Sequence, residues 1–269
     1  MEVLGFIAAV LIGITLGLIG AGGSILTVPV LVYLLRVSPV LATSYSLFIV
    51  GITALFGSLG YMKNNLVNYR TAIVFGIPSL IGVFAARHFL LPSIPEDLFF
   101  WGNILVTKGI GIMILFAVLM IAASVSMIKK SKVIHKEEFA PVQKYRYGLI
   151  LLEGLIVGGL TGLVGAGGGF LIIPALVILA GEPMKIAIGT SLLIISSKSL
   201  IGFSGDLMNH MQINWDFLLL FSAFAVAGIL IGAWLSSRIP GTGSKLKPVF
   251  GWFVLVMGIF ILAQEIFYS

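Results

Sequence analysis

The chain has 269 residues, 59% of them hydrophobic and 10% charged, with a mean hydropathy of +1.16. A soluble domain carries about 25% charged residues, so a soluble fold is excluded and most of the chain must face lipid or other apolar helices. The net charge of +6 finds no soluble domain on which to build a nucleic-acid face, and the absence of cysteine excludes disulfides, Cys-ligated zinc, iron–sulfur centres and thiol chemistry.

Residues 1–20 lack a basic leader and an A-x-A cleavage site, so they read as a retained membrane segment rather than a signal peptide. Helices are predicted over 3–18, 24–35, 40–61, 70–91 and 103–128, then over 148–164, 169–180, 185–207, 215–237 and 247–267. Between the two sets lies "KKSKVIHKEEFAPVQKYR", the longest polar stretch. The expected organisation is therefore a first transmembrane repeat (1–128), a basic cytoplasmic linker (129–147) and a second repeat (148–269). No alternating segments of about ten residues appear, so a β-barrel is not expected.

The two sets are related. "GLIGAGGSILTVP" (17–29) returns 145 positions later as "GLVGAGGGFLIIP" (162–174), with eight of thirteen residues identical. At the same offset Ala42 matches Ala187, Ser46 matches Ser191, Leu47 matches Leu192, Gly57 matches Gly202 and Gly60 matches Gly205. One inserted residue brings "NY" (68–69) onto "NW" (214–215).

Charge sets the expected orientation. The loop at 62–70 carries Lys63 and Arg70, while its counterpart at 206–216 carries Asp206 and Asp216. With the linker inside and each half made of a re-entrant hairpin plus three crossings, twelve basic residues fall inside against Arg36 and Arg87 outside. If each glycine-broken element crosses once, the split is eight against six. The positive-inside rule favours the first arrangement, with inverted halves and both termini periplasmic.

The glycine segments are then hairpin tips inside the membrane. Residues 24–35 span roughly 18 Å as a helix, short of a core about 30 Å thick. Reversal there needs glycine's freedom at positive φ and shelter from lipid. The first N–H groups of the following half-helix have no intrahelical partner and carry a positive local field, so an anion can approach them. Two inverted copies place two such ends together, the arrangement of a carrier's anion site. Candidate substrate-binding residues are Gly22, Gly23, Ser24, Gly167, Gly168 and Gly169 at the tips. Ser44, Ser46, Thr190 and Ser191 are candidate hydroxyl donors, and Lys198, near the middle of helix 185–207, is a candidate charge partner for the anion. Each has a plainer reading: glycines that let helices pack, as the spacing of Gly13/Gly17 and Gly158/Gly162 suggests; hydroxyls bonded to their own helix; a lysine in a structural pair. The glycines lack the Lys-Ser/Thr of a P-loop and the Rossmann spacing, so any active transport would draw on an ion gradient, of protons or sodium.

The doubled "G-x-x-G-A-G-G-[GS]-x-L-x-x-P", the "A-x-G-T-S-L" at 187–192 and the following "G-x-x-G" resemble the sulfite exporter TauE/SafE family of bacterial inner-membrane anion carriers, over essentially the whole chain. The resemblance implies transport of small sulfur-containing anions: sulfite, thiosulfate, sulfoacetate or related organosulfonates. The first half departs from the pattern, with Ser24 for the third glycine and "A-T-S-Y-S-L" at 42–47.

A passive anion channel would share the dipole site. An intramembrane enzyme needs a convergent cluster of ionisable groups, which the scattered carboxylates and His88, His135 and His210 do not suggest. No metal and no other cofactor is expected. The expected partners are the anion, the bilayer, a coupling ion and, without a specific signal, further copies of the chain. Glu153 reads as an interfacial residue. Pro29 and Pro174 are expected to bend or end the half-helices. Trp101, Trp215, Trp234, Trp252 and Tyr268 read as interfacial anchors.

Overall fold

The computed structural model describes residues 2–101, 104–128, 147–238 and 242–267. The linker, its basic residues and Tyr268 lie outside the described residues. The first half contains α1 (Glu2–Ile19), an irregular helical segment α2 (21–34), α3 (Pro39–Lys63), α4 (Tyr69–Ser93) and α5 (Lys108–Ile128). The second contains α6 (Tyr147–Val164), α7 (Gly169–Leu179), α8 (Met184–Met208), α9 (Trp215–Arg238) and α10 (Thr242–Phe267). Among these, α3, α4, α5, α8, α9 and α10 are long and apolar enough to cross a membrane, three in each half. The chain is an all-α polytopic membrane protein.

One predicted boundary was wrong. The helix expected over 103–128 starts at Lys108, because Asp97–Trp101 (β1) and Ile104–Thr107 (β2) pair antiparallel, with Phe99 opposite Val106 and Trp101 opposite Ile104. The run "LFFWGNILVT" is aromatic and β-branched around Gly-Asn, a hairpin signal that its apolarity concealed. Lys108 closes the hairpin: its N–H donates to the Glu96 carbonyl at 2.8 Å and its ammonium lies 3.6 Å from the Glu96 carboxylate.

The charge reading also needs correction. Arg87 and Asp206 are not loop charges. They form a buried ion pair between α4 and α8, with side chains 0% and 1% exposed. An unpaired charge at that depth is expensive, and residues 119 apart in sequence give no local sign of meeting.

Helices of one half pack on those of the other in matched pairs. The glycine spacings mark the seams. On α1, Gly13 and Gly17 lie against Gly228 and Gly232 of α9; a Cβ on Gly17 would fall 2.6 Å from the Ala233 nitrogen. On α6, Gly158 and Gly162 lie against α4 in the same way, and a Cβ on Gly158 would fall 2.8 Å from Ser79 Cα. Small residues let these backbones touch, which is how helices associate when lipid removes the hydrophobic drive.

The central pair is α3 with α8. Gly202 faces Leu47, Gly51 faces Leu200 and Gly57 faces Leu192, while Phe48 and Phe203 rings lie 4.9 Å apart. Low numbers on one helix meet high numbers on the other, so the two run antiparallel. The contacts Gly202–Leu47 and Gly57–Leu192 are mates of each other at the 145-residue offset. Gly251 against Met127 and Gly258 against Ile121 make α5 and α10 antiparallel too. Backbone detail repeats at that offset: positive φ occurs at Gly20 (83°) and Gly165 (71°), Arg36 (56°) and Gly181 (65°), Asn65 (55°) and His210 (56°).

Candidate functional site

Each half opens with a hairpin whose tip is glycine-rich. The first returns on itself, so that Leu35 at its end packs on Gly5 near its start. Its tip differs from expectation. Instead of a regular half-helix from Ser24, a 3-10 stretch spans Ala21–Leu26, one α turn spans Thr27–Pro29 and a π turn spans Val30–Leu34. Only Gly20 has positive φ there, whereas the second tip has it at Gly165, Gly167 and Gly168, after which α7 begins at Gly169. Close approach also calls for glycine at the first tip: a Cβ on Gly23 would lie 2.6 Å from Leu16 N and Thr15 Oγ1. Neither proline ends its segment. The helix continues past Pro29 as the π turn, and Pro174 sits inside α7.

The two tips meet. A Cβ placed on Gly167 would fall 3.4 Å from Ser24 Cβ, 3.4 Å from Ile195 Cγ2 and 2.5 Å from Val50 Cγ1. Val50 and Ile195 are equivalent positions, each the twelfth residue of a 25-residue helix. The tips therefore touch halfway along α3 and α8. Ser24 is fully buried, and Gly22 lies within the 3-10 stretch beside it.

Lys198 completes this point. Its side chain is 1% exposed and its ammonium donates to Thr161 Oγ1 at 2.6 Å; that hydroxyl donates in turn to the Val157 carbonyl at 2.6 Å. A Cβ on Gly168 would lie 2.8 Å from Lys198 Nζ, so the missing side chain is what lets the ammonium reach the tip. No carboxylate pairs with Lys198 among the described residues. The ammonium thus stands beside the N-terminus of α7, where the partial charge is also positive. Two positive fields therefore meet at this buried point, with no carboxylate paired to Lys198 among the described residues.

Other predicted site residues are engaged elsewhere. Ser46 donates to the Gly165 carbonyl at 2.7 Å, fastening the second tip to α3. Ser44 lies beside Asp206. Ser191 donates to the Ile188 carbonyl of its own helix at 2.8 Å. Thr190 Oγ1 accepts the Asn68 N–H at 2.9 Å, and its repeat mate Tyr45 likewise accepts the Asn214 N–H at 2.8 Å. Both hydroxyls tie loops to the central helices. Replacing Thr190 with valine should therefore lower stability by about 1–3 kcal/mol, the cost of orphaning a buried N–H, while anion affinity stays unchanged; thermal melts with and without sulfite read both.

Sequence reasoning missed Thr161, whose position one residue before Gly162 at the end of an apolar helix was the only hint. It also missed the cluster at Glu182. The Glu182 carboxylate accepts from Asn68 Nδ2 at 2.5 Å and from Thr71 Oγ1 at 2.8 Å, joining the α3–α4 loop to the α7–α8 loop.

With this arrangement in view, comparison with known proteins is decisive. The profile described as "Sulfite exporter TauE/SafE" matches residues 5–261. The chain belongs to the sulfite exporter TauE/SafE family. A "Probable membrane transporter protein" of Xylella fastidiosa (strain Temecula1) is 28% identical over 253 residues, covering 94% of this chain and 91% of that one. "Probable membrane transporter protein YunE" of Bacillus subtilis (strain 168) is 28% identical over 278 residues, covering 96% and 94%. "Probable membrane transporter protein MJ0441" of Methanocaldococcus jannaschii is 27% identical over 215 residues, covering 78% and 72%. No solved structure matches. This TauE/SafE chain is a membrane transporter, embedded in the bilayer through its six long apolar helices.

Proposed function

We propose that this chain is a secondary transporter of small sulfur-containing anions, sulfite, thiosulfate, sulfoacetate or related organosulfonates, and that the anion binds where the two hairpin tips meet. The observation that carries the reading is Lys198: a buried ammonium with no carboxylate partner among the described residues, set against Gly168 and the first turn of α7. Ser24, Gly167, Gly168 and Gly169 form the rest of the cradle, with Gly22 and Gly23 behind Ser24. Sulfur oxyanions offer several oxygens to such donors, so backbone N–H groups and one ammonium can share the charge.

The halves act as inverted repeats of 1–128 and 148–269. The antiparallel run of α3 with α8, and of α5 with α10, supports this, because equivalent helices in inverted copies must point opposite ways. With the linker cytoplasmic, twelve basic residues lie inside; Arg36 and Lys108 lie outside, Arg87 is buried in its pair with Asp206, and both termini are periplasmic in a bacterial inner membrane. Relative motion of the halves opens the central site to one face at a time, driven by a proton or sodium gradient.

The test uses proteoliposomes and radiolabelled sulfite, thiosulfate and sulfoacetate, with chloride and sulfate as controls. Saturable uptake of a sulfur anion, pushed uphill by an imposed proton or sodium gradient, is the expected result. Downhill, non-saturating flux would make the protein a channel. Conversion of the anion by detergent-solubilised protein would make it an enzyme.

A further inference from the structure

Eight residues beyond Lys198 along α8, about 12 Å at the helical rise, lies the Arg87–Asp206 pair. Arg87 Nη1 donates to Asp206 Oδ2 at 3.2 Å. Asn209 Nδ2 donates to the Arg87 carbonyl at 3.2 Å, and Ser44 stands beside the carboxylate. A guanidinium offers five N–H donors in a planar fork. Here Nε and Nη2 find no acceptor among the described residues, although the side chain is fully buried.

That is a poor static brace. A buried ion pair repays its desolvation only when its geometry is good and its remaining donors are satisfied. The strong form of an Arg–carboxylate contact is two-pronged, and this one has a single prong. The other half has no counterpart of it. At the 145-residue offset Asp206 corresponds to Tyr61, and Arg87 corresponds to Gly232, or to Ala233 with the inserted residue. The equivalent place in the other half is built without charge.

We propose that Arg87 is a second oxyanion site, between the tips and the 209–214 loop, and that Asp206 is the ligand that holds it until a sulfur oxyanion takes its place. A carboxylate presents the paired oxygens that a sulfonate or sulfite also presents, so Asp206 is a built-in competitor. The incoming anion accepts from Nε and Nη2, which have no acceptor among the described residues, and then displaces the single bond to Nη1. The released carboxylate is two residues from the end of α8 at Met208, where loop water can solvate it. Ser44, found at Asp206 rather than at the tips, belongs to this station. The inference rests on the reading of the chain as an anion transporter.

The test compares Asp206→Asn, Arg87→Gln/Asp206→Asn and Lys198→Met with the unaltered chain, using radiolabelled sulfite and sulfoacetate in proteoliposomes and thermal melts in detergent. Removing the competitor in Asp206→Asn should lower KM roughly three- to tenfold, because a site no longer masked binds at its intrinsic affinity, and should lower kcat because release is slowed. The double variant keeps the shapes without the charges. It should melt no lower than the unaltered chain and take up anion at least about tenfold more slowly, as loss of a buried charged contact predicts. Normal uptake by the double variant overturns the proposal, since a mere brace predicts that result. So does an unchanged or raised KM in a folded Asp206→Asn. If Asp206→Asn does not fold, the double variant alone decides. Lys198→Met separates the two readings: normal transport in it removes the tip site and leaves the Arg87 result standing, whereas loss there with no effect at Asp206 or Arg87 removes the second site alone.

Discussion

Replacing Lys198 with methionine should abolish anion uptake and leave a protein that melts at a higher temperature. The two effects have one cause. The ammonium is buried with no carboxylate partner among the described residues, donates to a neutral hydroxyl and lies beside the positive end of α7. An unliganded protein bears that desolvation as a loss of stability, and an apolar side chain of similar length removes it. An anion at the tips turns the same charge into binding energy. Truncating one partner of a buried, hydrogen-bonded charge pair costs about 2–5 kcal/mol, so uptake should fall roughly 10²-fold or more. A second readout is ligand stabilisation. A ligand at about 100 times its Kd adds about 2.7 kcal/mol to folding, so sulfite or sulfoacetate should raise the melting temperature of the unaltered chain and leave that of Lys198→Met unmoved. Equal ligand shifts in both proteins would remove Lys198 from the site.

Gly168→Ala should damage the same site from the backbone side, with the opposite effect on stability. Gly168 sits at φ 73°, ψ 14° as the residue before α7. A residue with a Cβ is disfavoured there by about 1–2 kcal/mol. The added carbon would also fall 2.8 Å from Lys198 Nζ and 3.1 Å from Thr161 Cβ. Either the ammonium leaves the tip or the tip moves, and both disturb the proposed cradle. Uptake should drop at least about tenfold, given that an ångström of misplacement at a positioned group can cost 10²-fold, and the melting temperature should fall. A gain in stability from Gly168→Ala would mean that the left-handed backbone and the close ammonium are absent in solution.

The parts of this molecule that were legible in the sequence are those that local physics writes into short stretches. Two copies of one glycine segment announced two hairpin tips, because glycine takes the left-handed backbone at Gly20, Gly165, Gly167 and Gly168 without strain. Apolar run lengths located the three long helices of each half to within a few residues. Lys198 stood out because an ionised side chain halfway along an apolar helix needs a reason. What stayed hidden depends on contacts between distant segments. Arg87 and Asp206 look like loop charges until α4 is laid along α8. Thr190 and Tyr45 look like a substrate donor and an ordinary tyrosine, yet both receive loop N–H groups at repeat-related places. Thr161 carries no local mark of being the partner of Lys198. The β1–β2 hairpin was lost for a different reason: an apolar strand and a helix start look alike in sequence, and the Gly-Asn between β1 and β2 was the distinguishing sign.

The central claim is that the anion sits where the hairpins touch. The most direct measurement is a crystal structure of the protein soaked in selenite, the selenium counterpart of sulfite, with anomalous scattering used to locate the selenium. An anomalous peak within hydrogen-bonding distance of Lys198 Nζ, between Ser24 and the first turn of α7, is the predicted result. Selenium bound in the protein interior away from both tips, with none beside Lys198, would contradict it.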